Sequence, residues 1–473
     1  MKQSPFDKDT IAALSTPSGT AAIAVIRISG KDAFKICSKI FKKKDLSAGK
    51  AGSKVTDVSR FVSHSAHFGE IVHKSIPIDE VVLTIFKAPN SYTGENIAEI
   101  SCHGSQYIQE KILQLLVKEG ARLATPGEFT FRAFLNDKFD LSQAEAVADL
   151  IASHSATSHH IAMQQMRGGF STKIKVLREN LVNFASLVEL ELDFSEENVE
   201  FASKDELKKL VRSLQNIITK LIRSFELGNV IKNGVPVCIA GRPNSGKSTL
   251  LNSLLDEDRA IVSDIPGTTR DTVEDEIVIE GVRFRFIDTA GLRNSSDTIE
   301  SAGIERTYKA MKNASVIIYL FDIHELSSSD LHKELDELKK HIGNAELILA
   351  GNKIDKEDVE YTKKEFAAFK DMFFISAKEK HNLEELKTRL IDIFDEKSND
   401  IPETIITNTR HVTALQASSD ALNKVSEGLD KKLSGELIAS DIRTALYQMG
   451  LITGEVSTDD LLQNIFSKFC IGK

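Results

Sequence analysis

The sequence contains no tryptophan, only four cysteines, and no cysteine pair spaced Cys-x-x-Cys. The missing tryptophan decides nothing about the fold. The scattered Cys37, Cys102, Cys238 and Cys470 argue against a disulfide framework or a zinc knuckle and suit the reduced thiols of a cytoplasmic protein. No uninterrupted apolar run is long enough to span a bilayer, and the opening MKQSPFDKDT lacks the apolar core of a signal peptide. Positive charge is not in excess either. The formal net charge is −9, so a nucleic-acid partner would need a local basic surface.

What is present is length and three textures. At 473 residues the chain is expected to form two to four domains. Residues 1–138 mix short β-branched runs with helices and predict an α+β domain: TAAIAVIRISG and DEVVLTIF read as strands, SQYIQEKILQLLVKEG as a helix ending near Gly120. Residues 139–232 are helical, with LSQAEAVADLIASHSATSHHIAMQQM read as one long helix and Asp205 as the cap of another. Residues 233–396 alternate buried-strand runs (VPVCIAG, VRFRFIDTAG, ASVIIYLFD, AELILAGNK, MFFISAK) with helical ones. That rhythm predicts a mostly parallel sheet covered on both faces, with a hairpin around Gly281 adding an antiparallel edge. Residues 397–473 are helical again, which suggests an α/β domain inserted in a helical one. The basic stretch FKKKDLSAGKAGSK reads as a solvated loop.

The α/β segment carries the chemistry. Gly241-x-x-x-x-Gly246-Lys247-Ser248 follows a strand and precedes a helix, the context of a phosphate-binding loop. Its glycines let backbone N–H groups curl round phosphates, Lys247 reaches the β and γ oxygens, and the Ser248 hydroxyl suits Mg²⁺. Thr269 in GTTRD offers a second Mg²⁺ ligand, and DTAG places Asp288, Thr289, Ala290 and Gly291 after the next strand. In NKID, Asn352 and Lys353 precede Asp355, whose carboxylate can accept the N1–H and N2–H pair that guanine has and adenine lacks. Ser376, Ala377 and Lys378 then offer a backbone N–H to guanine O6. Five elements in this order predict a Mg²⁺–GTP site. Where Ras-type enzymes carry a water-orienting glutamine, this chain has Leu292. Glu300 is the candidate for orienting water, and Arg242, Arg270, Arg293 or a bound K⁺ for neutralising charge. Asn244 could ligate K⁺ or be a plain turn residue.

Taken together, DTIAALSTPSG, RISG, APNSYTGENIAEISCHGS, TPGEFTFRAFLNDKFDLSQAEAVADLI, GRPNSGKSTLLN, DIPGTTRD, DTAGLR, NKID and the terminal FCIGK resemble the MnmE (TrmE) family of tRNA-modification GTPases from end to end. The resemblance implies an N-terminal domain that binds 5-formyltetrahydrofolate or a related tetrahydrofolate and forms a homodimer. It also implies a helical domain carrying a Ras-like G domain. A flavoprotein partner, the FAD protein MnmG, would join it in a heterotetramer that modifies C5 of the wobble uridine of certain tRNAs with an aminomethyl or carboxymethylaminomethyl group. K⁺ would activate GTP hydrolysis and promote G-domain dimerisation. By this resemblance Asn244 and the carbonyls of Ser263, Ile265 and Thr268 hold K⁺, Ser248 and Thr269 hold Mg²⁺, and Glu300 orients the attacking water. The GTP-contacting set also includes Ser245, Gly246, Thr249, Asp264, Pro266 and Gly267, and the folate set is Arg27, Glu99, Lys138 and Lys473. One departure is Ser105 in CHGS, where the family has a second glycine.

The tail FCIGK is not a prenylation box, because Gly472 and Lys473 match neither of its final positions. On its residues alone Cys470 is a buried core thiol or part of a site. The resemblance places it near the folate and makes it a candidate catalytic thiol. The competing function is a ribosome-assembly GTPase with a similar G domain. Against it, the segment after residue 396 is helical, mixed in charge and without a KH-type loop.

Overall fold

The computed structural model describes residues 9–44, 56–193, 204–258, 275–287, 308, 310–343, 345–356, 364–369, 371–398, 404–431, 433–467 and 469–472. The chain divides into two compact units. One comprises residues 1–148, 165–178 and 446–473, the other residues 149–164 and 179–445.

In the first unit, β1 (Ile11–Leu14), β2 (Ile23–Ser29), β3 (Phe41–Lys43), β4 (Ser65–His73), β5 (Ile76–Phe86), β6 (Ile97–His103) and β7 (Arg122–Leu123) form one sheet. Its order is β3-β4-β5-β6-β2-β1-β7, and only β1 and β7 run parallel. Helices α1 (Ala33–Ile40) and α2 (Gln106–Lys118) share a core with one face of it. Alternation sends Ala24, Ile26 and Ile28 of β2, with Ala98, Ile100 and Cys102 of β6, into that core. Arg27 and Glu99 therefore stand on the other face, directly opposite each other in register. Helix α3 (Glu128–Leu135) brings Phe129 against Ile11 and Ala13 in a separate small core.

The helical stretch that follows contains α4 (Leu141–Ile151), α5 (Ala156–Met166), α6 (Gly169–Asp193) and α7 (Lys204–Asn233). The single helix expected over residues 141–166 is in fact two. Ser153 Oγ bonds back to the Leu150 carbonyl at 2.7 Å, and Ser155 and Ser158 exchange reciprocal side-chain-to-N–H bonds of 3.1 Å. This serine cluster offers the backbone a cap in place of helix continuation. Asp205 lies inside α7 and is not its cap.

In the second unit, β8 (Val235–Ala240), β9 (Asp275–Ile279), β10 (Val282–Phe286), β11 (Val316–Asp322), β12 (Glu346–Asn352) and β13 (Met372–Ile375) form a sheet ordered β9-β10-β8-β11-β12-β13. All pairs are parallel except β9 with β10, the hairpin turning at Glu280–Gly281. Helices α8 (Lys247–Asp258) and α10 (Leu383–Ser398) pack on one face, and α9 (Ser328–Leu338) on the other. Burial on both faces explains why β11 is buried at every position and reads as a continuous apolar run. Helices α11 (Thr409–Asp430), α12 (Gly435–Thr453) and α13 (Asp459–Phe466) complete the described elements. Helix α11 runs antiparallel to α7, held by Gln215–Asn423 at 2.7 Å and Lys208–Asp430 at 2.6 Å. In the first unit, Leu462, Ile465, Phe466 and Phe469 pack on Leu141 and Ala144, with Phe131 and Phe134 alongside.

Candidate functional site

The parallel strands of the second unit end on the same edge, and the nucleotide motifs sit there: Gly241 after β8, Asn352 closing β12 and Ser376 after β13. That edge is where open α/β sheets receive ligands. Between β8 and α8 the loop passes so close to β11 that a Cβ on Gly241 would lie 1.9 Å from the Leu320 carbonyl oxygen. Gly246 has φ +99°, and a Cβ on it would lie 2.3 Å from Asn352 Nδ2. Asn244, exposed within the loop, is left-handed at φ +61°. The Lys247 ammonium donates to the carbonyls of Gly241 (2.9 Å) and Arg242 (2.7 Å), and burial lowers its pKa from the usual lysine value. Ser245 is buried, whereas Ser248 and Thr249 are exposed in the first turn of α8. Arg242, one candidate for neutralising phosphate charge, instead pairs with Glu334 of α9, which also accepts from Tyr319.

Asn352 ties this loop to the base-binding end. Its Nδ2 donates to the Ser245 carbonyl at 2.8 Å, and its Oδ1 accepts the Ala377 N–H at 2.9 Å. Ser253 of α8 donates to the Ala377 carbonyl at 2.6 Å, so P-loop, helix and last loop form one hydrogen-bonded frame. Ser376 Oγ donates to Asp355 Oδ1 at 2.6 Å and aims the exposed carboxylate expected to read guanine. Lys353, left-handed at φ +73°, pairs with Asp322 at the end of β11 at 2.5 Å. The Ser376 N–H donates to the His381 carbonyl and the Ala377 N–H to Asn352 Oδ1, and the Lys378 ammonium pairs with Glu379 at 3.0 Å. Ser263, Asp264, Ile265, Pro266, Gly267, Thr268, Thr269, Asp288, Thr289, Ala290, Gly291 and Glu300 lie outside the described residues, as does Lys473.

A second constellation lies in the first unit. Arg27 Nε donates to Glu99 Oε1 at 2.8 Å, and its guanidinium lies 5.2 Å from the Tyr92 ring centre and 5.6 Å from that of Phe129. A Cβ on Gly94 would lie 3.4 Å from Lys138 Cε, and the next residue, Phe139, meets the Tyr92 ring edge-on with ring centres 5.8 Å apart. The tail reaches the same neighbourhood. The Gly127 N–H donates to the Cys470 carbonyl at 3.3 Å, and Ser15 Oγ donates to the Gly472 carbonyl at 3.2 Å. Gly127 lies two residues before Phe129, and Ser15 two after Ala13, the β1 partner of Arg27. Cys470 is exposed, so the core-thiol alternative fails for it, whereas Cys37, Cys102 and Cys238 are buried. Burial raises the Cys37 thiol to about 12 and, with the Asp79 charge adding to it, Cys102 to about 11, so neither is a ready thiolate.

Sequence reasoning missed the aromatic walls Tyr92 and Phe129, although both sit inside the motifs APNSYTGE and TPGEFTF. It also missed an ion cluster behind them. Buried Arg132 bonds Asp9 (2.7 Å), Glu128 (3.0 Å) and Glu95 (3.2 Å), and Arg122 bonds Asp9 and Glu128 at 2.6 Å each. Among the described residues, no group of three or more His, Cys, Asp or Glu is placed to hold a metal, and no helix is long and apolar enough to cross a membrane.

A phosphate loop and a guanine-reading loop joined at one edge of a parallel sheet define a P-loop GTP hydrolase. Two family models then match nearly the whole chain: the TrmE N-terminus ("GTP-binding protein TrmE N-terminus") over residues 10–138 and the MnmE helical domain over residues 141–470. The second span encloses the α/β sheet. The chain is 53% identical to the tRNA modification GTPase MnmE of Cytophaga hutchinsonii over 466 residues (98% of each chain). It is also 53% identical to that of Flavobacterium johnsoniae over 474 residues (99% of this chain, 100% of the relative). A crystal structure of Era with MgGDPNP and 16S ribosomal RNA nucleotides matches at 26% identity over 40% of this chain and 66% of that one. Its TM-score of 0.26 gives that likeness no part in the assignment. The chain belongs to the MnmE family of tRNA-modification GTPases.

Proposed function

We propose that this GTP hydrolase is Mg²⁺-dependent and K⁺-activated and works as a cytoplasmic homodimer with a MnmG-type FAD protein. Together they add an aminomethyl or carboxymethylaminomethyl group to C5 of uridine 34 in certain tRNAs, with a tetrahydrofolate in the N-terminal domain. GTP hydrolysis drives G-domain dimerisation and rearrangement. The observation that carries the reading is the presence of two separate constellations in one chain. A GTP frame is braced by Asn352, and an Arg27–Glu99 pair between aromatic walls lies where the C-terminal tail returns.

At the GTP frame the chain supplies position and charge. Lys247 exchanges two loop carbonyls for the β and γ phosphate oxygens, and loop N–H groups bind the same phosphates. Asp355, aimed by Ser376, selects guanine. Glu300 orients the attacking water. The donor set suits the two cations, since the Ser248 hydroxyl and the Asn244 amide are both exposed beside the loop. Ser248 with Thr269 would hold Mg²⁺, and Asn244 with the carbonyls of Ser263, Ile265 and Thr268 would hold K⁺. Bound there, the cations supply positive charge against the phosphate oxygens, a task Arg242 is not placed to perform while paired with Glu334.

In the first unit, Arg27, Lys138 and Lys473 suit the carboxylates of a folate tail, Glu99 suits the donor edge of a pterin, and Tyr92 and Phe129 suit its flat ring. Cys470 is assigned to the one-carbon end. GTP turnover should be slow in Na⁺ and rise in K⁺; equal rates in the two salts remove K⁺ from the mechanism. Glu300→Ala should leave GTP affinity within about twofold and lower turnover by about 10²-fold or more. Mass spectrometry of wobble nucleosides from cells lacking the protein should show the modification gone, and intact nucleosides would return the ribosome-assembly alternative.

A further inference from the structure

A positive face outside the two sites lies on α7. From Lys208 to Phe225 the sequence holds five cations and no Asp or Glu, in a chain whose net charge is −9. Lys209, Arg212, Lys220 and Arg223 are all exposed. At 3.6 residues per turn these four fall within an arc of about 80° centred on Asn216. Directly opposite that arc are Val211, Leu214, Ile218 and Leu221, which are 0–5% exposed. The apolar side is thus fully used inside the unit, and the cations line the side turned to solvent.

These charges are not consumed by neighbours. Lys208, at the border of the arc, pairs with Asp430 of α11. The field of Arg212 also reaches Asp430, and the exposed Glu427 of α11 is taken by Lys431. Lys209, Arg212, Lys220 and Arg223 form no ion pair among the described residues. From Lys209 to Arg223 the stripe is about 21 Å long at 1.5 Å per residue. Its uncharged members, Asn216 at the centre and Ser213 and Thr219 beside it, are phosphate-binding types, and it holds no aromatic residue. Protein interfaces concentrate aromatic and apolar anchors at their centres, whereas phosphate backbones are met by Lys and Arg with Ser, Thr and Asn.

We propose that the Lys209–Arg223 face of α7 is the docking surface for the phosphate backbone of the tRNA. This rests on the reading of the chain as a tRNA-modifying enzyme, and it assigns the local basic surface that a negatively charged chain requires. The helix ends at Asn233, and Gly234 alone separates it from β8, the strand that leads into the phosphate loop.

The test uses the full chain carrying Lys209→Gln, Arg212→Gln, Lys220→Gln and Arg223→Gln together, with labelled tRNA transcript as the probe. Affinity is measured by fluorescence anisotropy between about 50 and 200 mM salt. Expected are a loss of about tenfold or more and a log–log salt slope shallower by about one per cation removed. GTP turnover without tRNA should stay at the wild-type rate, which shows that the variant is folded. A second variant with the lysines and arginines interchanged should keep both affinity and slope. Wild-type affinity and slope in the glutamine variant would overturn the surface while leaving the functional reading intact. Retained tRNA binding with loss of a protein partner would overturn it in favour of a protein interface. A wild-type chain that binds no tRNA would remove the functional reading itself, and the docking surface with it.

Discussion

Asn352 commits both ends of its amide to backbone, and this changes the role its motif suggests. It is a strut between the Ser245 carbonyl and the Ala377 N–H, and it is 2% exposed. Asn352→Ala would leave both backbone groups buried and unpaired, at about 1–3 kcal/mol each. The nucleotide-free protein should therefore show a lower unfolding midpoint for the G domain, together with weaker GTP binding. An unchanged midpoint would mean that the strut carries no weight. Gly246→Ala tests the same frame from the other side. Its Cβ would meet Asn352 Nδ2 at 2.3 Å with φ at +99°, so it should destabilise by about 1–3 kcal/mol before any ligand is added. The glycine was legible in the P-loop motif as a residue freeing backbone for phosphate. Its second reason, room for an amide 106 positions away, exists only in the folded chain.

Helix α3 shows how much an element can hide from its own sequence. Its first residue, Glu128, accepts the Thr125 N–H at 2.9 Å, and Arg132 sits one turn later on the same side. Local spacing reveals that pair, but not Asp9 or Glu95, which lie far along the chain, nor Arg122, which reaches Glu128 from the edge strand β7 six residues earlier. Burial alone would raise the pKa values of Asp9 and Glu128. The guanidiniums of Arg122 and Arg132 outweigh it and hold both carboxyls below their usual range. A carboxyl with a depressed folded-state pKa binds fewer protons than its unfolded counterpart, so stability rises with pH through that window. The contribution is complete above the ordinary carboxylate pKa values of 3.8 and 4.5 and fades as pH falls through the lowered folded values. Acid unfolding followed by circular dichroism should therefore steepen below about pH 4.5. Glu128→Gln should flatten that limb and, by leaving two guanidiniums short of a partner, cost about 3 kcal/mol near neutrality. An acid limb identical in wild type and variant would exclude Glu128 from the titration. By contrast, the central strands β8 and β11 were legible because burial on both faces writes itself as a nearly continuous apolar run. The break between α4 and α5 was not, since Ser153, Ser155 and Ser158 fit a helix surface as well as a cap.

At the scale of the molecule, the order of motifs could be read from the residues themselves, whereas the return of the end to the N-terminal domain followed only from the family resemblance, and the contacts that hold it there could not be read. Ser15 and Gly472 are 457 positions apart and share a hydrogen bond, and a Cβ on Gly472 would lie 2.2 Å from the Leu14 carbonyl. With φ at +97°, Gly472 meets two requirements that no other residue satisfies together, close approach to β1 and a left-handed turn. The tail is therefore a built part of the first unit, held where β1 runs beside Arg27. Gly472→Val should displace Cys470 to Lys473 without touching the Asn352 frame. The expected result is tetrahydrofolate binding weakened by about tenfold, in keeping with about 1–3 kcal/mol of backbone strain, and GTP turnover at the wild-type rate. Equilibrium dialysis with a tetrahydrofolate and a phosphate-release assay measure the two quantities separately. Folate affinity unchanged by the valine would detach the tail from that site, and with it the role assigned to Cys470. A fall in GTP turnover alongside folate affinity would instead show that the two constellations are coupled through the chain that joins them.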